Sequence, residues 1–212
     1  MGRSNGALGT VKGKVSNVVF YQLNGQEIIR GLGIKKTFKS KKVLAQNNSL
    51  KLLMNFFGRI KPFIKAGFKN EAAGTIYNYH NLATAYNRVH AMDFQDDLPT
   101  IRYERIMLSQ GSAPMPINPR VIAGAGKLNF SWDTDPALPW ISNQDQIMML
   151  AWFPELNEAL FNVAGALRST GADFLPLPAA YSPFQAEIYM AFVSQDRESV
   201  SNSIYLGHGR VL

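Results

Sequence analysis

Apolar positions change their spacing twice along this chain of 212 residues. In the run from Val15 to Tyr21 (VSNVVFY) β-branched and aromatic residues crowd together, Asn24-Gly25 follows, and Glu27-Ile28-Ile29-Arg30 comes next. Asn-Gly between two β-prone runs accepts the positive φ of a tight type I′ turn, so the pattern predicts a hairpin with strands at about 15–22 and 26–31. From Leu50 the spacing lengthens to three and four, through Leu53, Met54, Phe57, Ile60, Ile64 and Phe68. That is the stripe of an amphipathic helix. Pro62 lacks an N–H and clashes with the preceding turn, which predicts a break near Lys61, and Gly67 is the expected end. A second helix is expected over about 71–91, with Ile76, Tyr79, Ala83 and Tyr86 as its apolar face. Residues 100–109 (TIRYERIMLS) alternate enough to predict a strand.

Gln110 to Asn118 and Pro119 hold three Pro and a Gly in ten residues, and mark a boundary. Beyond it, apolar runs recur at Arg120–Ala123, Lys127–Trp132, Gln146–Phe153, Ala159–Val163, Phe174–Leu177, Ala186–Val193 and Asn202–Leu206. Turn-formers such as Asp133, Pro139, Pro154, Gly171 and Pro178 separate them. Short strands at this density predict a β-sandwich. The expected fold is therefore α+β: a β-hairpin plus helices over residues 1–110, then an all-β immunoglobulin/fibronectin-like sandwich over 118–212. An isolated hairpin is marginal in water, so it should pack on its helices, on the sandwich or on a second copy.

Charge sharpens the division. Residues 1–70 carry fourteen of the 22 Lys and Arg and a single acid, Glu27, whereas residues 71–212 carry eight bases and fourteen acids. The front is net +13 and the back net −6, an asymmetry that speaks of partners rather than of catalysis. The absence of Cys excludes disulfides, thiolate zinc sites and thiol nucleophiles. The longest apolar run, Ile147–Phe153, has seven residues, far short of the roughly 20 of a membrane helix. No apolar segment follows Arg3, so no signal peptide is read, and the expectation is a cytoplasmic protein with no membrane insertion.

The basic stretch supplies the candidate site. Lys12, Lys14, Arg30, Lys35, Lys36, Lys39, Lys41, Lys42 and Lys51 could contact an anionic partner, and residues 35–42 alone hold five Lys in eight positions. Two partners suit this pattern. An acidic protein, or the acidic half of another copy, would pair with the lysines. Nucleic acid would release counterions from them, with Phe20, Tyr21 and Phe38 near enough in sequence to stack on bases. Lys outnumbers Arg, and no helix–turn–helix, zinc-finger or RNP motif is present, which favours the protein partner. No enzyme signature emerges. Gly9-x-x-x-Gly13-Lys14-Val15 fails the phosphate-loop spacing. His80, His90 and His208 show no metal-ligand spacing. Asp93, Asp96 and Asp97, and likewise Asp133 and Asp135, read as solvated turn carboxylates. Ser169 and Ser201 lack a nucleophile-elbow context. Trp132, Trp140 and Trp152 read as core and rim residues. No cofactor is expected. A hydrolase or carbohydrate-acting enzyme would need a pocket joining one of Asp93, Asp96 and Asp97 to His80 or His90.

Two resemblances add to this reading. The opening Gly9-x-x-x-Gly13-Lys14-Val15-x-Asn17-Val18-Val19-x-Tyr21-x-x-Asn24-Gly25-x-x-x-x-Arg30 resembles that of a family of uncharacterised bacterial proteins of unknown function. Gln46, the segment Ile60–Phe68 and the closing Ser201–Gly207 are similar to that family too, so the likeness covers most of the chain. It implies no activity. The C-terminal half resembles a fibronectin type III or immunoglobulin-like domain at Leu128-x-Phe130-Ser131-Trp132, Ile188-Tyr189-x-Ala191-Phe192-Val193 and Ser201–Leu206. Such domains are binding or spacer modules, so the resemblance implies a non-enzymatic binding or assembly protein.

Overall fold

Three layers organise most of the molecule, and the apolar runs of the sequence meet on the two faces of the middle one. A computed structural model of the chain describes residues 3–4, 11–23, 26–34, 40–124 and 126–210.

The chain opens with an antiparallel sheet of β1 (Arg3–Ser4), β2 (Val11–Val15), β3 (Val18–Leu23) and β4 (Gln26–Gly31), hydrogen-bonded in that order. β3 and β4 are the expected hairpin; its Asn24-Gly25 turn lies outside the described residues. The expected strand over 15–22 is corrected: it breaks at Ser16-Asn17, where Val15 pairs with Val18 and Ser16 takes φ 51°. A serine in that region tightens the chain into a two-residue turn without the glycine that would have signalled it.

α1 (Lys41–Arg59) starts at Ser40, whose hydroxyl accepts a hydrogen bond from the Val43 N–H. It ends at Ile60, and α2 (Lys61–Ala72) restarts at once with Pro62 in its first turn, where a missing N–H costs nothing. Gly67 does not end the helix, contrary to expectation. It lies inside α2, at a point where a Cβ would sit 2.2 Å from the Leu108 carbonyl oxygen. The helix expected over 71–91 is shorter: Gly74 at φ 75° turns the chain, Asn78 caps α3 (Tyr79–His90), and Ile76 stays outside it. β5 (Met92–Gln95) and β6 (Leu98–Ile101) form a hairpin whose turn residues Asp96 and Asp97 have φ 49° and 64°. The strand expected over 100–109 stops at Ile101; Tyr103–Arg105 is one 3-10 turn. The segment after it is held by side chains instead. The buried Asn87 amide donates to the Ala83 and Met107 carbonyls and accepts from the Met107 N–H.

The expected seven strands follow: β7 (Ile117–Gly124), β8 (Lys127–Asp133), β9 (Gln146–Phe153), β10 (Glu158–Asn162), β11 (Ala172–Pro176), β12 (Gln185–Val193) and β13 (Ile204–Arg210). They form sheets of order β10-β9-β12-β13 and β11-β8-β7, an all-antiparallel sandwich. Between them, Ile147, Met149, Ala151, Phe153, Met190 and Phe192 pack on Leu128, Phe130 and Trp132. The other face of β9 and β12 presents Met148, Leu150, Trp152, Tyr189 and Ala191 to Phe56, Phe57, Ile64 and Phe68 of the helices. Burial on both sides explains why residues 147–153 are apolar without alternation. The α+β class holds, with the helices and the sandwich joined through a shared core.

Candidate functional site

Cross-strand register decides which bases of the front sheet stand together. Lys14 pairs with Val19, and Val19 with Arg30; Tyr21 pairs with Ile28. Side chains alternate along a strand, so Lys12, Lys14, Val19, Tyr21, Ile28 and Arg30 share one face. The other row, Gly13–Phe20–Ile29 and Val15–Val18–Gly31, makes an apolar face, and Glu27, opposite Gln22, belongs to it. The only acid of residues 1–70 is thus on the far side from the bases. On the basic face Val19, Tyr21 and Ile28 form an apolar centre flanked by Lys12 and Lys14 at one side and Arg30 at the other. The Arg30 guanidinium lies 5.9 Å from the Tyr21 ring centroid, close enough for cation–π attraction.

Among the described residues, no other element makes substantial contact with this sheet. β1–β4 pack on one another without substantial contact to the helices or the sandwich. None of the side chains of β2–β4 whose exposure is described is buried, and Ile29 remains 66% exposed. No carboxylate among the described residues stands within ion-pair distance of Lys12, Lys14 or Arg30.

The remaining candidate bases divide differently. Lys35, Lys36 and Lys39 lie outside the described residues. Lys41 and Lys42 occupy the first turn of α1, which holds no acid. Cations there oppose the helix dipole, each at a cost of about 0.3–1 kcal/mol, so that end is strongly electropositive. Lys51 is exposed further along α1 and lines a shallow groove of about 500 Å³ with Asn48, Leu52, Asn55 and Pro99. The structure therefore groups Lys12, Lys14 and Arg30 on one face and sets Lys51 at another surface.

The carboxylates and imidazoles that the sequence singled out do not meet. Asp93 pairs with Arg102, whose hydrogen bond holds it below the usual carboxylate range. His80 stands edge-on to Phe57 in a cleft of about 680 Å³ between α1 and α3, with Leu50, Met54, Tyr77 and Ala85. Burial, then the nearby Lys61 charge, depresses its pKa. His90 lines a separate cleft with Glu104, Arg105 and Ser203. None of the clefts lined by His80 or His90 includes Asp93, Asp96 or Asp97. No three His, Asp or Glu among the described residues are grouped to hold a metal ion.

One buried polar cluster had no signal in the sequence. Arg168, 2% exposed, donates to the carboxylate of Asp145 (3.0 Å) and to the carbonyls of Pro114 (2.7 Å), Ser142 (3.1 Å) and Met115 (3.4 Å). Its guanidinium also lies 3.8 Å from the Phe192 ring centroid. Every partner is already engaged, which makes this cluster a structural pin between the 110–119 segment and the sandwich.

Family models supply the remaining comparison. The model of a family of unknown function, DUF6266, matches residues 10–207. The chain belongs to DUF6266. The match runs from just before β2, through α1–α2 and the sandwich, to Gly207 within β13. No curated protein and no solved structure matches this DUF6266 member. Among the described residues of the DUF6266 chain, no helix is long and apolar enough to cross a membrane.

Proposed function

We propose that this DUF6266 protein is a non-enzymatic binding or assembly protein whose basic N-terminal sheet receives an acidic protein partner. One observation carries the reading: Lys12, Lys14 and Arg30 stand on a single acid-free face of a sheet that the other described elements leave without substantial contact. A small sheet in which no side chain of described exposure is buried gains little from folding alone, so a partner that covers it contributes a large share of its stability. Clustered, unpaired bases attract an acidic surface over about 10 Å at moderate salt, and the attraction weakens as salt rises.

Poly-L-glutamate is the probe. It should bind the intact protein at low salt, weaken steadily with added salt, and lose about tenfold or more in affinity when Lys12, Lys14 and Arg30 all become Ala. Equal binding by the triple variant would overturn the reading. Nucleic acid is the second reading, favoured by the position of Tyr21 beside Arg30 on the basic face. A stacked base contributes about 1–3 kcal/mol, so Tyr21→Ala should then weaken a single-stranded oligonucleotide by about tenfold while leaving poly-L-glutamate binding unchanged.

A further inference from the structure

Two helices without a single acid wall the cleft of about 680 Å³ beside His80: neither α1 nor α3 contains Asp or Glu. The Arg88 guanidinium donates to the Gln46 amide oxygen at 3.2 Å, and the His80 ring meets Phe57. The helices are therefore antiparallel along the cleft, and the rise from Gln46 to Phe57 separates the two contacts by roughly 16 Å at about 1.5 Å per residue. Between them the floor is apolar, from Leu50 and Met54 on α1 to Leu82 and Ala85 on α3. Leu50, Met54 and Leu82 are each only partly buried, so the floor has apolar area still to lose to a ligand. Arg88 is the one charged side chain among the described residues that line it. It is exposed, and no carboxylate among the described residues stands within ion-pair distance of it. Its bond to Gln46 is to a neutral amide, and a carboxylate would hold the guanidinium about twice as strongly. His80, its pKa lowered by burial and then by the Lys61 charge, is neutral at pH 7.

We propose that this cleft binds a small anionic amphiphile, a carboxylate joined to an apolar chain or ring, with the carboxylate on Arg88 and the apolar body along Leu50, Met54, Leu82 and Ala85. The volume falls within the range of about 300–1,000 Å³ that small-molecule sites occupy. The lone guanidinium between acid-free helices fixes the sign of the ligand, because an anion meets one cation and no repelling carboxylate from either wall. The floor fixes its other end: a small polar anion such as phosphate would leave the leucines and Met54 in water, whereas an apolar body covers them. The site stands apart from the basic sheet and does not depend on it.

Isothermal titration calorimetry of the full chain with decanoate and with decyltrimethylammonium, both below their micelle concentrations, tests this. Decanoate should bind saturably, and decyltrimethylammonium, with the same chain and the opposite charge, about tenfold or more weakly. Arg88→Gln should weaken decanoate by about tenfold and remove most of the difference between the two, whereas Arg88→Lys, which keeps the charge, should retain most of it. Ala85→Trp fills the cleft from an exposed helix position and should abolish binding of both, with unchanged far-UV circular dichroism showing that the variant folds. No saturable binding, equal affinity for the two head groups, or decanoate binding untouched by Arg88→Gln and Ala85→Trp overturns the proposal. So does decanoate binding that is lost when Lys12, Lys14 and Arg30 become Ala, which would place the amphiphile on the basic sheet. Poly-L-glutamate binding should be unchanged in Arg88→Gln and Ala85→Trp, so the two sites stand or fall separately.

Discussion

Replacing Arg168 by Met tests how the 110–119 segment is fixed to the sandwich. The guanidinium is buried, and its loss leaves the Asp145 carboxylate, 4% exposed at its side chain, without the partner at 3.0 Å. It also strips the Pro114 and Ser142 carbonyls of donors at 2.7 and 3.1 Å and removes the cation from the Phe192 ring. Breaking a buried pair by deleting one partner costs about 3–5 kcal/mol, and the orphaned carbonyls add to that end of the range. A loss of about 4 kcal/mol is a large part of the 5–15 kcal/mol that holds a typical domain together. Urea unfolding followed by tryptophan fluorescence reads it directly, because Trp132 donates its indole N–H to the Arg168 carbonyl at 2.7 Å.

The same pair sets a pH signature. Burial raises the Asp145 pKa, against the pull of Arg168, and burial lowers that of Arg168. A carboxyl raised above its unfolded value favours folding below the ordinary carboxylate range, and this advantage is lost as pH climbs through the folded value. Without the guanidinium the carboxyl rises further. Arg168→Met should therefore lose less stability at pH 5 than at pH 7, and adding Asp145→Asn should recover about 1–2 kcal/mol at neutral pH. A loss under about 1 kcal/mol with no pH dependence would refute the reasoning.

Two further outcomes follow from packing. Gly67→Ala replaces a poor helix former by the best one, a gain of about 1 kcal/mol, yet its Cβ would lie 2.2 Å from the Leu108 carbonyl oxygen and 2.7 Å from Ser109 Cα. The clash should win by about 1–3 kcal/mol net, seen as a lower urea midpoint; a raised midpoint would show that the 108–109 segment yields. Tyr103, Tyr189 and Tyr205 all have phenols raised above the ordinary value of 10, with burial the leading cause for each. Their contribution to stability is present below about pH 10 and is lost as pH rises through the folded values. Phenolate absorbance and the loss of far-UV circular dichroism should thus rise together in alkali, whereas ionisation of these three near pH 10 in a folded protein would contradict it.

Elements punctuated by their own neighbours were legible in the chain. Seven sandwich strands were readable because Pro, Gly and Asp stand between them, and the α1–α2 break because Pro62 disrupts the hydrogen-bond ladder. What escaped depended on distant partners. Gly67 looks like a helix end until residues 108–109 are seen pressed against it. Residues 106–109 read as a strand, but Asn87 and Ser203 supply the hydrogen bonds that a neighbouring strand would have given. Arg168 and Asp145 are 23 residues apart, with no spacing to announce a pair. Within the candidate site, the excess of lysine was plain, but its division was not. Only the Ser16-Asn17 turn, which folds β2 onto β3, sets Lys12 and Lys14 on the side of Arg30 and Tyr21.

That turn also bears on where function resides. The middle sheet is buried on both faces, and among the described residues its buried polar side chains are all paired. In the front sheet the strands are paired edge to edge, no other described element makes substantial contact with either face, and the bases are sorted from the single acid by the alternation of its strands. Random placement of bases over both faces would have served solubility equally well. Segregation on one face, around an apolar centre, instead gives a directional surface, and that direction is the physical ground for proposing that a partner docks there.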